Sequence, residues 1–220
     1  MGVAFYSQIQ TLVRIVRHAA SNQKARAINK QNMRKLIAGI NMTLDGFCDH
    51  TAIIPDEEMH QHYADLLSNA DTILYGRITY QLMEYWRTLA ESPSGEKSMD
   101  DFAVVMDSIP KIVFSHTLKN VEWHSAKLSN QPLEEVVSEL KQQSGKYILV
   151  GSRSLIIQLM KLNLIDEFQL CVHPVIAGDG LPLFENTNDR TTLKLLKTKT
   201  FSGSAVTLYY EPTIEKTTNR

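Results

Sequence analysis

The stretch from Tyr147 to Phe184 constrains the fold more than any other part of this chain. It reads YILVGSRSLIIQLMKLNLIDEFQLCVHPVIAGDGLPLF. The short apolar run Tyr147–Val150 is typical of a buried strand, and the turn residues Gly151-Ser152 follow it at once. A helical pattern comes next, because leucines recur at i, i+4 and i+7: Leu155, Leu159 and Leu162. Alternating apolar and polar residues from Phe168 to His173 then indicate a second strand.

A strand, a helix and a strand in this order predict a crossover between two parallel strands. The turn before the helix leaves backbone N–H groups and the positive end of the helix dipole available to an anion. We therefore predict an anion site at Gly151, Ser152 and Arg153. Gly151 is expected to allow close approach and a positive φ. For Arg153 two interpretations stay open, which are a phosphate contact and a place on the helix surface.

Composition excludes several classes of protein. The chain has 220 residues, 43% of them hydrophobic and 21% charged, and a formal net charge of -1. These values are typical of a globular domain and give no reason to expect nucleic acid as a partner. No apolar run reaches about 18 residues, so we expect no membrane span. Cys48 and Cys171 have neither metal-ligand nor disulfide spacing, which favours a reducing, cytoplasmic location and no metal site.

Residues 1–32 differ in charge from the rest of the chain. They contain five Lys or Arg residues and no acidic residue: Arg14, Arg17, Lys24, Arg26 and Lys30. We interpret them as a basic extension outside the fold, residues 33–213 as one domain, and residues 214–220 as a polar tail. An upstream start codon ahead of Met33 would also explain the extension. An organelle transit peptide, which has the same basic and acid-free character, is the alternative.

We predict that residues 1–32 are dispensable for folding, because the pattern of strands and helices begins only at Met33. A chain that starts at Met33 should melt within a few degrees of the full chain. A large loss of thermal stability would mean that the extension packs on the core or on a partner subunit.

From Met33 onward, predicted strands and helices alternate. Strands are expected at Leu36–Ile40, Thr72–Tyr75 and Ile112–Phe114, and helices after Pro55, Gly76 and Pro132, with a short one at Phe102–Ile109. At the end of the chain, Thr192–Phe201 and Ala205–Tyr210 flank Ser202-Gly203, which predicts an antiparallel hairpin. The predicted fold class is α/β, with a mostly parallel sheet and an antiparallel C-terminal hairpin.

Three strand ends offer similar chemistry. They are Gly76-Arg77-Ile78-Thr79, Ser115-His116-Thr117 and Gly151-Ser152-Arg153-Ser154, which supply hydroxyls, guanidinium groups and helix N-terminal amides. Ligands of open α/β sheets bind outside the carboxyl ends of the strands, and Arg suits phosphate because its planar fork donates in pairs. We predict that a dinucleotide cofactor binds here, at Gly76, Arg77, Thr79, Ser115, Gly151, Ser152 and Arg153. Taken singly, each feature is also explained by a turn glycine or a solvated side chain.

Taken together, these motifs resemble a known family. Gly76-Arg77-Ile78-Thr79-Tyr80 after a strand is similar to the GRxT element of dihydrofolate reductases. The turn Leu44-Asp45-Gly46, the pair Gly151-Ser152 and the run Val172–Phe184 resemble more closely the C-terminal reductase domain of the bifunctional riboflavin-pathway deaminase-reductase and its stand-alone bacterial relatives. The resemblance covers about Met33 to Glu211. It implies a dihydrofolate reductase-like three-layer fold, NADPH as cofactor, a small-molecule substrate and a homodimer.

The activity that this resemblance implies is NADPH-dependent reduction of a small heterocyclic or carbonyl compound, as in 5-amino-6-(5-phosphoribosylamino)uracil reductases. Hydride would pass from the nicotinamide to a C=N or C=O carbon, and the cofactor would be held in reacting orientation. Water or Asp45 would supply the proton. Asp45 also has a simpler interpretation, because a turn aspartate commonly caps its own backbone.

The sequence departs from both families. Dihydrofolate reductases carry a carboxylate on the first long helix, where this chain has His60-Gln61, and the riboflavin-pathway reductases commonly have an acid and a glycine in place of Val150 and Ser152. The alternative hypothesis is therefore a non-catalytic nucleotide-binding dimer that kept the cofactor cleft and lost the substrate chemistry. We interpret His60 and His62 as exposed helix residues, and His173 as a strand residue on a polar face.

Overall fold

A computed structural model of the chain describes residues 33–48, 50–51, 55–185 and 190–213. The predictions for the basic extension 1–32 and for the polar tail 214–220 lie outside these residues. The described strands are β1 (Leu36–Thr43), β2 (Ala70–Gly76), β3 (Lys111–Phe114), β4 (Ala126–Leu128), β5 (Tyr147–Val150), β6 (Glu167–His173), β7 (Thr192–Thr200) and β8 (Val206–Thr213). The described helices are α1 (Glu57–Ser68), α2 (Arg77–Glu91), α3 (Lys97–Ser108), α4 (Leu133–Gln142) and α5 (Arg153–Lys161).

The strands form one sheet in the order β4-β3-β2-β5-β1-β6-β8-β7. Among these strands, β8 alone is antiparallel to the rest, because it pairs antiparallel with both β6 and β7. The prediction of a mostly parallel sheet with an antiparallel C-terminal hairpin is therefore confirmed. The predicted crossover is also confirmed, since α5 links β5 to β6 and both strands lie parallel to β1, one on each side of it.

Helices cover both faces of the sheet, which gives the expected three layers. Alternate residues of β1 point to opposite faces. Leu36 and Ala38 pack with Val137 of α4 and Ile156 of α5, whereas Ile37 packs with the apolar residues of α1, α2 and α3. Burial of these two apolar surfaces is the main force that holds the layers together. Among the described helices, none is long and apolar enough to cross a membrane.

The strands β4 and β1 illustrate how the observed strands differ from the sequence-based expectation. β4 was not predicted, because Ala126–Leu128 is a short, partly exposed edge strand without an apolar run. β1 extends beyond Ile40 to Thr43, because pairing with β6 continues to the partners Thr43 and His173. Tertiary pairing, rather than local pattern, sets both boundaries.

The histidine interpretations are wrong in part. His60 and His62 are half-buried rather than exposed: His60 lies edge-on to Trp86 at a ring distance of 5.7 Å, and His62 packs against Phe201 at 5.2 Å. His173 is 6% exposed, because the face of β6 that carries it is covered. Burial lowers the pKa of all three imidazoles, that of His62 to about 4, so they are neutral at pH 7.

Candidate functional site

The sheet opens between β1 and β5 at its carboxyl edge. β5 ends at Val150, which is level with Ala38 of β1. β1 continues for five more residues to Thr43, paired with β6 on its other side. At a rise of about 3.3 Å per residue, β1 therefore extends about 16 Å past its last pairing with β5. We call the resulting opening above the end of β5 the notch.

Two helix N-termini meet beside the notch. α2 begins at Arg77 directly after β2, and α5 begins at Arg153, separated from the end of β5 by Gly151 and Ser152. The backbone N–H of Gly76 donates to Ser152 Oγ at 2.8 Å, which ties the two strand ends together. A Cβ on Gly76 would lie 3.3 Å from Ser154 Oγ, so the two turns are packed closely.

Among the described helices, these two alone have neither a side-chain cap nor an acidic residue in the first turn. Neither Gly76 nor Ser152 caps its helix through a side chain, and neither first turn contains an acidic residue. By contrast, Asp56 caps α1, and acidic residues occupy the first turns of α1, α3 and α4. First-turn amides carry partial positive charge and need acceptors, so two adjacent uncapped N-termini favour an anion.

The predicted residues of β2 and β3 reach the same edge. Gly76 pairs with Phe114, so Ser115 follows at the neighbouring position. The Ser115 hydroxyl accepts from the N–H groups of Thr117 and Leu118 at 3.1 Å and 3.0 Å and lies 3.4 Å from Thr117 Oγ1, and these contacts shape the turn. The sheet thus brings the first two predicted clusters together.

Arg77 and Thr79 lie in the first turn of α2. The exposed Arg77 guanidinium donates to Gln81 Oε1 at 3.1 Å, one turn along the helix. An exposed bond of this kind contributes little, so the side chain can turn toward a ligand at small cost. Thr79 is half-buried on the same turn.

Gly151 and Ser152 show two features that the sequence did not predict, and their contact with the cofactor stays a prediction. Gly151 does not adopt a positive φ, so that expectation is wrong, and a Cβ there would meet the Gly39 carbonyl oxygen at an ordinary 3.5 Å. Ser152 is 2% exposed, and its hydroxyl accepts the bond from Gly76. The lack of a side chain at Gly151 therefore leaves space beyond the end of β5. The Ser152 hydroxyl, in contrast, links β5 to β2 through its hydrogen bond with Gly76.

Arg153 turns toward the loop of residues 174–185. Its Nε donates to the Pro182 carbonyl oxygen at 2.7 Å, and its guanidinium forms an ion pair with Glu185. In this arrangement Arg153 holds the loop. Its contact with a phosphate stays a prediction.

Asp45 ties the turn after β1 to the same loop. Its carboxylate accepts from Thr43 Oγ1 at 2.6 Å and from the backbone N–H groups of Ala177 and Gly178 at 3.1 Å and 2.7 Å. These hydrogen bonds, first that of Thr43, lower the pKa of Asp45 to about 2. The group is therefore a carboxylate at neutral pH and accepts hydrogen bonds there.

One polar group that the sequence analysis did not single out borders the notch. Asn41, on β1 beyond the last pairing with β5, accepts at Oδ1 from the Tyr63 hydroxyl at 2.9 Å and lies 3.0 Å from His173 Nε2. No motif marks Asn41. The available signal was the strand alternation that places it on the same face as Ile37 and Gly39.

The loops around this edge expose apolar side chains: Leu44, Ile176, Leu181 and Phe184. A rim of this kind suits the flat face of an organic ring. In the described part of the chain, no group of three or more His, Cys, Asp or Glu residues is arranged to hold a metal ion. The arrangement as a whole can bind an anion at the helix N-termini and a ring at the notch.

Comparison with known proteins gives a consistent result. The family model described as the RibD C-terminal domain matches residues 34–207. The uncharacterized protein YyaP of Bacillus subtilis (strain 168) is 36% identical over an alignment of 188 residues, and the alignment covers 83% of this chain and 97% of YyaP.

Two solved structures share the fold. A putative riboflavin biosynthesis protein from Shewanella sp. PV-4 is similar with a TM-score of 0.63 and 19% identity, over 82% of this chain and 99% of that one. A pyrimidine reductase-like protein from Corynebacterium diphtheriae is similar with a TM-score of 0.59 and 15% identity, over 86% and 95%. At these identities the likeness bears on the fold alone, and it confirms the predicted dihydrofolate reductase-like architecture.

Proposed function

This chain belongs to the RibD C-terminal domain family, and from that membership and the geometry of the site we propose that it is an NADPH-dependent reductase. The reductase character of the family supports the oxidoreductase class. The proposed substrate is a small heterocyclic or carbonyl compound. The observation that carries the proposal is the meeting of two uncapped, acid-free helix N-termini at the hydrogen bond between Gly76 and Ser152.

The residues at this edge fit a dinucleotide with several phosphates. The first-turn N–H groups of α2 and α5 would bind the pyrophosphate, and Arg77 would reach an outer phosphate. Thr79 and Ser115 would add hydroxyl donors, and Gly151 leaves room for close approach of the phosphate. When bound, NADPH supplies the hydride, and the chain positions it relative to the acceptor.

The notch would hold the reacting ring. Apolar side chains on the surrounding loops would exclude water there, and a drier site strengthens each polar contact inside it. Asp45 is proposed to act as the group that fixes the loop 174–185, because three hydrogen bonds keep it ionised. Its low pKa favours water as the source of the proton.

The name of one structural relative, a pyrimidine reductase-like protein, supports a heterocyclic substrate. A reductase step of riboflavin biosynthesis is the specific form of this proposal, as the name of the Shewanella relative suggests. The homodimer and the cytoplasmic location that the sequence implies stay predictions.

Two measurements test the proposal. NADPH at one hundred times its dissociation constant should stabilise the protein by about 2.7 kcal/mol in thermal unfolding. The absorbance of reduced cofactor should then fall on addition of a pterin, a pyrimidine or a quinone. Absence of any stabilisation by NADPH would contradict the proposal. Stabilisation without oxidation by any of these compounds would favour the non-catalytic nucleotide-binding alternative.

Arg77→Ala should weaken NADPH binding by about 1.5–3 kcal/mol, because it removes a charge-assisted bond to phosphate. The affinity for NADH should fall less than the affinity for NADPH if Arg77 contacts the 2′-phosphate. Titration calorimetry with both nucleotides measures the difference, and Arg87→Ala, which removes the same charge farther along α2, is the matched control. Equal NADPH affinity in the Arg77 variant and the wild type would remove Arg77 from the site.

A further inference from the structure

We propose that Asn41 is a ring-binding residue, which presents its side-chain N–H donors to a carbonyl oxygen of the planar ring held in the notch. This inference rests on the function proposed above and adds a specificity-determining contact to it. Asn41 lies three residues past Ala38, the last residue of β1 that pairs with β5. The side chain is therefore on the strand segment that borders the opening.

Two partners fix the orientation of the Asn41 amide. The Tyr63 hydroxyl donates to Oδ1 at 2.9 Å, and His173 Nε2 lies 3.0 Å from the same oxygen. Tyr63 belongs to α1 and His173 to β6, so the amide is held from two separate elements. A carbonyl oxygen has two lone pairs, and the Tyr63 hydroxyl and the His173 tautomer that carries its proton on Nε2 use both of them.

The Nδ2 group of the Asn41 amide is available to bind a ligand. With Oδ1 directed at Tyr63 and His173, the Nδ2 group points away from them, and within the described residues it has no hydrogen-bond partner. Asn41 is half-buried rather than enclosed. A fixed, partly dehydrated amide discriminates well between a ring that accepts its bond and one that does not, because an unmatched donor stays unpaired.

The chemistry that satisfies this donor is a carbonyl oxygen on a flat ring. Two molecules of the proposed reaction can supply one, the nicotinamide carboxamide of the cofactor and a ring carbonyl of the substrate. Both would lie against the same segment of β1, so the structure assigns the type of contact and the experiment separates the sources.

Asn41→Asp is the informative variant. The two side chains have nearly the same shape, and an aspartate keeps an oxygen for Tyr63 and His173 while it replaces the outward donor by an acceptor. A purely structural role would survive this change, because the inward bonds remain. A ring-binding role would not, because two acceptors would face each other.

The experiment compares NADPH with 2′-phospho-ADP-ribose, which has every phosphate of NADPH and lacks the nicotinamide. If the contact is to the cofactor, Asn41→Asp should weaken NADPH about tenfold or more and leave 2′-phospho-ADP-ribose within about twofold of wild type. If the contact is to the substrate, the variant should bind NADPH and 2′-phospho-ADP-ribose as tightly as wild type does. The thermal shift produced by 5-aminouracil in saturating NADP⁺ should then be lost.

Asn69→Asp makes the same replacement at the other end of α1, where Nδ2 donates to the Asp65 carbonyl oxygen, and should leave every ligand response unchanged. If Asn41→Asp does not fold, Tyr63→Phe serves instead. It removes one of the two groups that orient the amide and leaves Asn41 itself unchanged. The affinity for the same ligand should therefore fall by a smaller factor.

The inference is overturned if Asn41→Asp, or the substitute variant, leaves both the ratio of the two nucleotide affinities and the 5-aminouracil response as in wild type. Failure of the proposed function looks different, since wild-type protein would then bind neither NADPH nor 2′-phospho-ADP-ribose.

Discussion

A Gly151→Val protein should melt at the temperature of the wild type without cofactor, and added NADPH should not raise that temperature. Wild type should gain about 2.7 kcal/mol at one hundred times the dissociation constant. The valine γ-carbons would stand between the end of β5 and the N–H groups that open α5, where phosphate is proposed to lie. A hundredfold weaker affinity would reduce the stabilisation to about 0.4 kcal/mol at the same NADPH concentration.

The fold should tolerate the change better than the binding does. The Cβ would meet the Gly39 carbonyl oxygen at an ordinary 3.5 Å, and Gly151 has no positive φ that a side chain would strain. The apolar residues of α5, such as Ile156 and Leu159, keep their packing on the sheet. Stability and binding are therefore separable at this position, which makes it a sharp test of the site.

Two variants control this experiment. Tyr147→Val places the same side chain at the opposite end of β5, away from the carboxyl edge, and its NADPH response should equal that of wild type. Gly151→Ala adds the Cβ alone, so its loss of affinity should lie between those of wild type and Gly151→Val. A thermal shift for Gly151→Val as large as that of wild type would mean that the phosphates lie elsewhere.

Much of the fold follows from local pattern. β5 was predicted with its observed bounds, because Tyr147–Val150 is a short apolar run that stops at a glycine. The leucine spacing of α5 predicted part of its buried face, since Leu155 and Leu159 both pack in the core, whereas Leu162 lies beyond the last residue of the helix and is exposed. Parallel pairing then brings the strand ends at Gly76, Ser115 and Gly151 to one edge, as the sheet order requires.

The contacts made by the site residues could not be predicted from local sequence pattern. Asp45 binds the N–H groups of Ala177 and Gly178, which are more than 130 residues away in sequence. Arg153 pairs with Glu185 across a loop, and Asn41 meets Tyr63 only because α1 packs on β1. A sequence shows which side chains can donate or accept, whereas the folded chain decides which of them meet.

Asp166→Ala should lower the free energy of unfolding by about 3 kcal/mol, the lower end of the range for breaking a buried ion pair. Asp166 stands where the crossover enters β6. Its Oδ2 accepts from the backbone N–H of Leu36 at 2.8 Å and pairs with the ammonium group of Lys141, which also donates to the Leu164 carbonyl oxygen. Lys141 is 8% exposed, so loss of its partner leaves a largely buried cation unpaired.

Urea unfolding measures this loss, and Asp101→Ala provides the matched control. Asp101 pairs with Lys97 one turn along α3 at the surface, where such a pair contributes little to stability. Combining Asp166→Ala with Lys141→Met should recover part of the lost stability, because the unpaired charge is removed with its partner. If Asp166→Ala costs no more than Asp101→Ala, Lys141 finds water or another acceptor, and the ion pair does not stabilise the junction between α4, β1 and β6.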